Sequence, residues 1–123
     1  MHELSICQSL LREVERAAIA NGSTTVTGIV VAVGPLSGVE APLLARAFGV
    51  ARMGTLAEQA TLEVQTMPVI VRCRSCGAET TVAANALLCG TCGGWQVELT
   101  SGDELLLKRV ELAVDETPMA AAG

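Results

Sequence analysis

The sequence predicts an α+β fold: two helices packed on a small three-stranded sheet, with a further lobe inserted between strands. Three observations predict it. Apolar residues recur at helical spacing at the start of the chain, β-branched and alternating runs occupy residues 25–33, 60–66 and 104–112, and two Cys-x-x-Cys pairs stand between residues 73 and 92. Those pairs make the inserted lobe zinc-ribbon-like. The expected organisation is an α+β domain at 1–68 and 98–116, a zinc-binding lobe at 69–97 and a disordered tail at 117–123.

The first element is a helix. Leu4, Cys7, Leu10, Leu11, Val14, Ala17 and Ala18 form one stripe, while Arg12, Glu13, Glu15 and Arg16 fill most of the other face. Asn21-Gly22 is its expected stop. Cys7 falls on the stripe and reads as a small buried hydrophobe rather than a ligand. The β-branched run from Thr25 to Val33 is a strand, and Gly34-Pro35 and Ser37-Gly38 then turn the chain. A second helix is expected over 39–53, with Glu40 at its positive end, Pro42 in its first turn, and Leu43, Leu44, Ala47, Phe48 and Ala51 buried. Gly49 weakens this helix and Gly54-Thr55 ends it.

Residues 60–66 alternate as a half-buried strand until Met67-Pro68, and 69–73 run extended into the first cysteine pair. Residues 77–88 are too few for a separate fold, so a metal must supply most of the lobe's stability. Beyond the second pair, 95–99 reads as a strand, 100–103 as a turn and 104–112 as a closing strand. The strands at 25–33, 60–66 and 104–112 are expected to share one sheet.

The cysteines carry the strongest chemical signal. In Cys73-Arg74-Ser75-Cys76-Gly77 and Cys89-Gly90-Thr91-Cys92-Gly93 twelve residues lie between Cys76 and Cys89, and a two-residue spacer lets both sulfurs of a pair reach one ion at about 2.3 Å. The glycine after each pair suits the tight turn, whose amides point back at the sulfurs. Two disulfides or four unrelated thiols are the alternatives; phased pairs favour the metal. Zinc is the default ion and rubredoxin-like iron the runner-up. A closed four-thiolate shell has no open position, so this site is structural or electron-carrying rather than hydrolytic.

Composition excludes several classes. Half of the 123 residues are hydrophobic, yet Phe48 and Trp95 are the only aromatics, so the core must be aliphatic. A net charge of −5 argues against a sequence-independent grip on nucleic acid, although Arg72 and Arg74 flank the first cysteine pair. No stretch reaches the roughly 18 apolar residues of a membrane span, the start does not read as a signal peptide, and paired free thiols fit a reducing compartment, the cytoplasm. His2 is the single histidine. No nucleophile stands with a base, so catalysis is not expected.

Met1-His2-Glu3 is the other place where chemistry can live. The α-amine of Met1, the deprotonated amide nitrogen of His2 and its Nδ1 can converge on one ion, and a flat nitrogen array suits Ni(II) or Cu(II) better than Zn(II). Glu3 can complete the set. On these residues alone the bland alternative is stronger: a solvated terminal histidine beside a carboxylate favoured at a helix start.

The opening Met1-His2-Glu3-Leu4-Ser5, the segment from Gly34 to Glu40, the run Gly54-Thr55-Leu56-Ala57-Glu58 and the two cysteine pairs together resemble the HypA/HybF family of hydrogenase-maturation nickel metallochaperones, from Met1 to about Val114. The resemblance implies a two-lobed protein that carries Ni(II) to the large subunit of a NiFe-hydrogenase. Its implied partners are a nickel-handling GTPase, the hydrogenase large subunit precursor and urease accessory proteins, with neither nucleic acid nor membrane. It puts nickel on His2, with Glu3 linked to it, and structural zinc on Cys73, Cys76, Cys89 and Cys92; the Met1 amine, from the chelate geometry, and Glu40, from its place at the opening of the second helix, are further candidate donors. Pro35, where many relatives have an acidic residue, and the aromatic-poor second helix depart from the pattern without touching a ligand position. The competing readings are a zinc-ribbon module for nucleic acid or protein, and a rubredoxin-like electron carrier.

Overall fold

The computed structural model describes residues 2–113; the tail expected at 117–123 and the Met1 amine lie outside them. Along the chain run α1 (His2–Ala20), β1 (Val26–Val33), α2 (Ala41–Ala51), β2 (Thr61–Thr66), β3 (Val69–Cys73), β4 (Glu79–Val82), β5 (Val97–Ser101) and β6 (Leu105–Leu112). They form two three-stranded sheets, ordered β2-β1-β6 and β4-β3-β5. The first is the sheet expected from the alternating runs. None of the described helices is long and apolar enough to cross a membrane.

The chain divides into two compact units. One takes in the residues up to Val30, Pro42–Glu63 and the chain from Leu107; the other takes in Val31–Ala41 and Val64–Leu106.

In the first unit, α1 turns Cys7, Leu11, Val14 and Ala18 inward, as the periodicity demands. The Cys7 thiol donates to the Leu44 carbonyl of α2 at 3.4 Å. The loop after α2 is tied in twice, by Val26 N–H donating to Leu56 O at 3.0 Å and by Leu56 N–H donating to the Glu15 carboxylate at 3.2 Å. Arg52 reaches back over the Phe48 ring, 5.6 Å from its centroid, and donates to Ala60 O at 3.1 Å.

Helix α2 is shorter than its pattern implies, 41–51 instead of 39–53. Its buried side chains are Leu44 and Phe48, whereas Leu43 is 39% exposed and Ala47 and Ala51 are half-buried. The expected five-residue stripe is thus too wide. An eleven-residue helix this rich in apolar residues carries them on more than one side, and only the side bearing Leu44 and Phe48 is covered.

In the second unit β3 is the central strand, antiparallel to both neighbours, with Arg72 opposite Glu79 of β4 and Glu98 of β5. Its alternation buries Val69, Val71 and Cys73 on one face. The strand expected at 95–99 runs instead over 97–101, and the turn follows at Gly102. Here two backbones touch. Leu36 N–H donates to Gly102 O at 2.7 Å and Gly34 N–H to Glu104 O at 2.8 Å, and a Cβ on Gly34 would run into the Gly102 carbonyl. The Glu104 carboxylate accepts the Gly102 N–H at 2.7 Å, which holds its pKa below the ordinary carboxylate value. Strand β4 was not expected: its Glu-Thr-Thr-Val sequence is short and polar at three of its four residues, and only pairing with β3, which sets Glu79 opposite Arg72, makes it a strand.

Leu44→Ala should destabilise the fold by about 3 kcal/mol, as a fully buried leucine does when its cavity cannot collapse, while Leu43→Ala should cost under about 1 kcal/mol. Urea unfolding of both variants checks the contrast; equal losses would mean that α2 is rotated from the orientation described.

Candidate metal centre

Strand β3 delivers Cys73 inward, and the chain then folds through two turns built alike. In the first, Cys73 N–H donates to Ala78 O at 2.9 Å and Gly77 N–H to Cys73 O at 3.0 Å; in the second, Cys89 N–H donates to Gly94 O at 2.8 Å and Gly93 N–H to Cys89 O at 2.9 Å. Gly77 and Gly93 occupy the same place with φ of 77° and 75°, a left-handed conformation that a side chain would strain. The sequence's glycine after each pair is thereby explained. Strand β4 anchors the second turn: Gly90 N–H donates to Thr80 Oγ1 at 2.9 Å.

These turns bring the four sulfurs of Cys73, Cys76, Cys89 and Cys92 within 4.8 Å of one another. The sulfurs of Cys73 and Cys92 are 3.6 Å apart, and those of Cys76 and Cys89 are 3.5 Å apart. Tetrahedral bonds of about 2.3 Å require separations of about 3.8 Å, so the cluster fits a four-thiolate zinc ion. Backbone amides converge on it, with Cys76 N–H donating to Cys73 Sγ at 3.4 Å, and Thr91 and Cys92 N–H donating to Cys89 Sγ at 3.3 and 3.4 Å. Cys73 and Cys89 are 2% and 4% exposed, while Cys76 and Cys92 face solvent.

The amides set the thiol acidities. Donation from Cys92 and Thr91 lowers the pKa of Cys89 to about 6, and donation from Cys76 lowers that of Cys73. The Ala78 amide pulls Cys76 down as well, but its thiol neighbours, Cys89 foremost, push it up to about 11; Cys92 is raised by Cys73 and Cys89 against the pull of Gly94. Cys7 stands apart. Burial, with Glu3 second, raises it to about 11, and it touches Leu44 rather than the cluster, as its place on the apolar stripe implies.

The N-terminal candidates occupy the first turn of α1, where His2 is exposed and Glu3 half-buried. Glu40 is exposed and directly precedes α2. Arg72 and Arg74 are set against glutamates, 4.0 Å from Glu79 and 3.5 Å from Glu98, rather than presented as an unpaired basic patch. Sequence reasoning missed the asymmetry within the cluster, although the alternation of Val69, Val71 and Cys73 could have shown which sulfur faces in.

A four-thiolate cluster, in a small α+β chain, defines a metal-binding protein whose closed ligand shell suits a structural centre rather than a hydrolytic one. Comparison with known proteins gives the particular family. The family model described as "Hydrogenase/urease nickel incorporation, metallochaperone, hypA" matches residues 1–112. Among curated relatives, the hydrogenase maturation factor HypA of Nitrosospira multiformis is 47% identical over 112 residues, covering 91% of this chain and 97% of its own. That of Aquifex aeolicus is 42% identical over 115 residues, covering 94% and 100%. The solution structure of the nickel metallochaperone HypA from Helicobacter pylori aligns with a TM-score of 0.71 at 26% identity, covering 92% of this chain and 98% of that one. The chain belongs to the HypA family of nickel-incorporation metallochaperones, which are maturation factors and not enzymes.

Cys76→Ser should remove the bound zinc and unfold the cysteine lobe, whereas Cys7→Ser should retain one zinc per chain; elemental analysis with circular dichroism separates them.

Proposed function

We propose that this chain binds Ni(II) as transferable cargo at its N-terminus and hands it to the large subunit precursor of a NiFe-hydrogenase. A nickel-handling GTPase works with it, and urease accessory proteins are further candidate partners. Zn(II) on Cys73, Cys76, Cys89 and Cys92 is the permanent scaffold of the lobe at 69–97. The α+β domain at 1–68 and 98–116 carries the cargo site, His2 being its principal side chain, with Glu3 and the Met1 amine beside it. The process is cytoplasmic.

The observation that carries this reading is that α1 begins at His2. The first four N–H groups of a helix have no intrahelical acceptor, so the His2 amide nitrogen is free to lose its proton to a metal without breaking the helix. An exposed imidazole on the same residue closes a chelate ring with that nitrogen. The helix dipole works the other way, since its positive end disfavours a cation. A dication held there requires anionic donors, and the deprotonated amide and the Glu3 carboxylate are the two at hand. A site with few side-chain donors, set against the dipole, comes apart one ligand at a time, which suits delivery rather than storage.

Three proteins test this by calorimetry with nickel: the unmodified chain, His2→Ala, and a chain extended at its N-terminus by a few residues without metal-binding side chains. His2→Ala should abolish tight nickel binding and keep its zinc, and the extension should weaken nickel binding sharply. Unchanged affinity in His2→Ala would remove the imidazole from the mechanism; unchanged affinity in the extended chain would remove the amine.

A further inference from the structure

The two halves of each cysteine pair are not equivalent. Cys73 and Cys89 are buried, and each interacts with two backbone amides, those of Cys76 and Ser75 for the first and of Cys92 and Thr91 for the second. Cys76 and Cys92 are exposed and each interacts with one, from Ala78 and Gly94 respectively. An amide donated to a thiolate draws charge from the sulfur and blunts its nucleophilicity, and burial denies it a reaction partner. The outward sulfurs are therefore the more accessible and the ones that fewer backbone amides reach.

Each outward sulfur also touches an inward one of the opposite turn, Cys76 against Cys89 at 3.5 Å and Cys92 against Cys73 at 3.6 Å. From this pairing we infer that the cluster is a site of oxidative modification by peroxides: Cys76 and Cys92 are the attacked sulfurs and Cys89 and Cys73 the resolving ones. In the first step the outward sulfur, which a bound zinc would keep deprotonated, attacks one oxygen of hydrogen peroxide, the O–O bond breaks, hydroxide leaves, and sulfenic acid forms. In the second, the inward thiolate attacks that sulfur, an S–S bond forms and a second hydroxide departs. Two electrons pass from the pair of sulfurs to the peroxide, and two protons turn the hydroxides into water. A disulfide no longer offers thiolate donors, so the zinc leaves with the first bridge and the second pair is freed to follow. Cys7, 1% exposed and bonded to Leu44 O, takes no part.

The inference rests on reading the cluster as a zinc site, so metal content is measured first on reduced protein. Hydrogen peroxide is then added with a colorimetric zinc chelator and a sulfenic-acid trap, and the protein is mapped by mass spectrometry. The expected result is loss of the single zinc, trap adducts on Cys76 and Cys92, and, without the trap, bridges Cys76–Cys89 and Cys73–Cys92. Tryptic cleavage after Arg74 detaches Cys73 from the other three cysteines, which stay on one peptide ending at Lys108, so a bridge to Cys73 joins two peptides and fragmentation of the joined species reads which cysteine is the partner. Zinc retained at peroxide levels that oxidise the unfolded chain would overturn the inference, as would adducts arising first on Cys73 or Cys89, or bridges within a pair. Reduced protein without zinc would instead defeat the metal-centre reading, and this inference with it.

Discussion

Mutual attraction of four sulfurs to one ion is the constraint on which the second unit depends. Apart from Cys73 and Cys89, its buried apolar side chains are those of Val31, Ala32, Val33, Val69 and Val71. That is a thin core for a segment with so much turn and loop, and unmetallated thiolates this close repel one another. A cation converts that repulsion into cohesion and contributes folding free energy outright. The backbone is arranged around the same need: the two turns repeat one hydrogen-bond pattern, and each places amides on its sulfurs. Strand β3 links the apolar core to the metal, since a single alternation buries Val69, Val71 and Cys73 together.

The first unit is built on a different principle. Leu11, Val14 and Ala18 of α1, Val26, Ile29 and Val30 of β1, and Leu44 and Phe48 of α2 are buried without any ion, and its loops are tied in by Glu15 and Arg52. Stability that comes from aliphatic burial leaves the helix start at His2 uncommitted. The two units are thus held by different chemistry, aliphatic burial in the first and a four-sulfur cluster in the second.

Much of this was legible in the residues, for reasons that can be named. The stripe of α1 was read correctly because charged residues fill its other face and leave one solution. The stripe of α2 was overdrawn because Leu43, Leu44, Ala47, Phe48 and Ala51 offer no polar contrast, and only packing decides that Leu44 is covered and Leu43 is not. The cysteine cluster was legible through spacing and through Gly77 and Gly93, whose conformation the turn requires. Strand β4 was not, since its role lies in long-range partners: Arg72 across the ladder and Gly90 through Thr80. Exposure of His2 depends on where α1 begins relative to the core, which no local pattern encodes.

One surface feature has a practical bearing on how this protein can be watched. Trp95 follows the second cysteine turn and is 75% exposed, and the sequence contains neither another tryptophan nor any tyrosine. Its indole therefore supplies essentially all of the intrinsic fluorescence, and it does so from within the sulfur-held unit. Emission from this chain is therefore an optical gauge of the unit that the four sulfurs hold together, and reports on events elsewhere only where they perturb the indole's own surroundings.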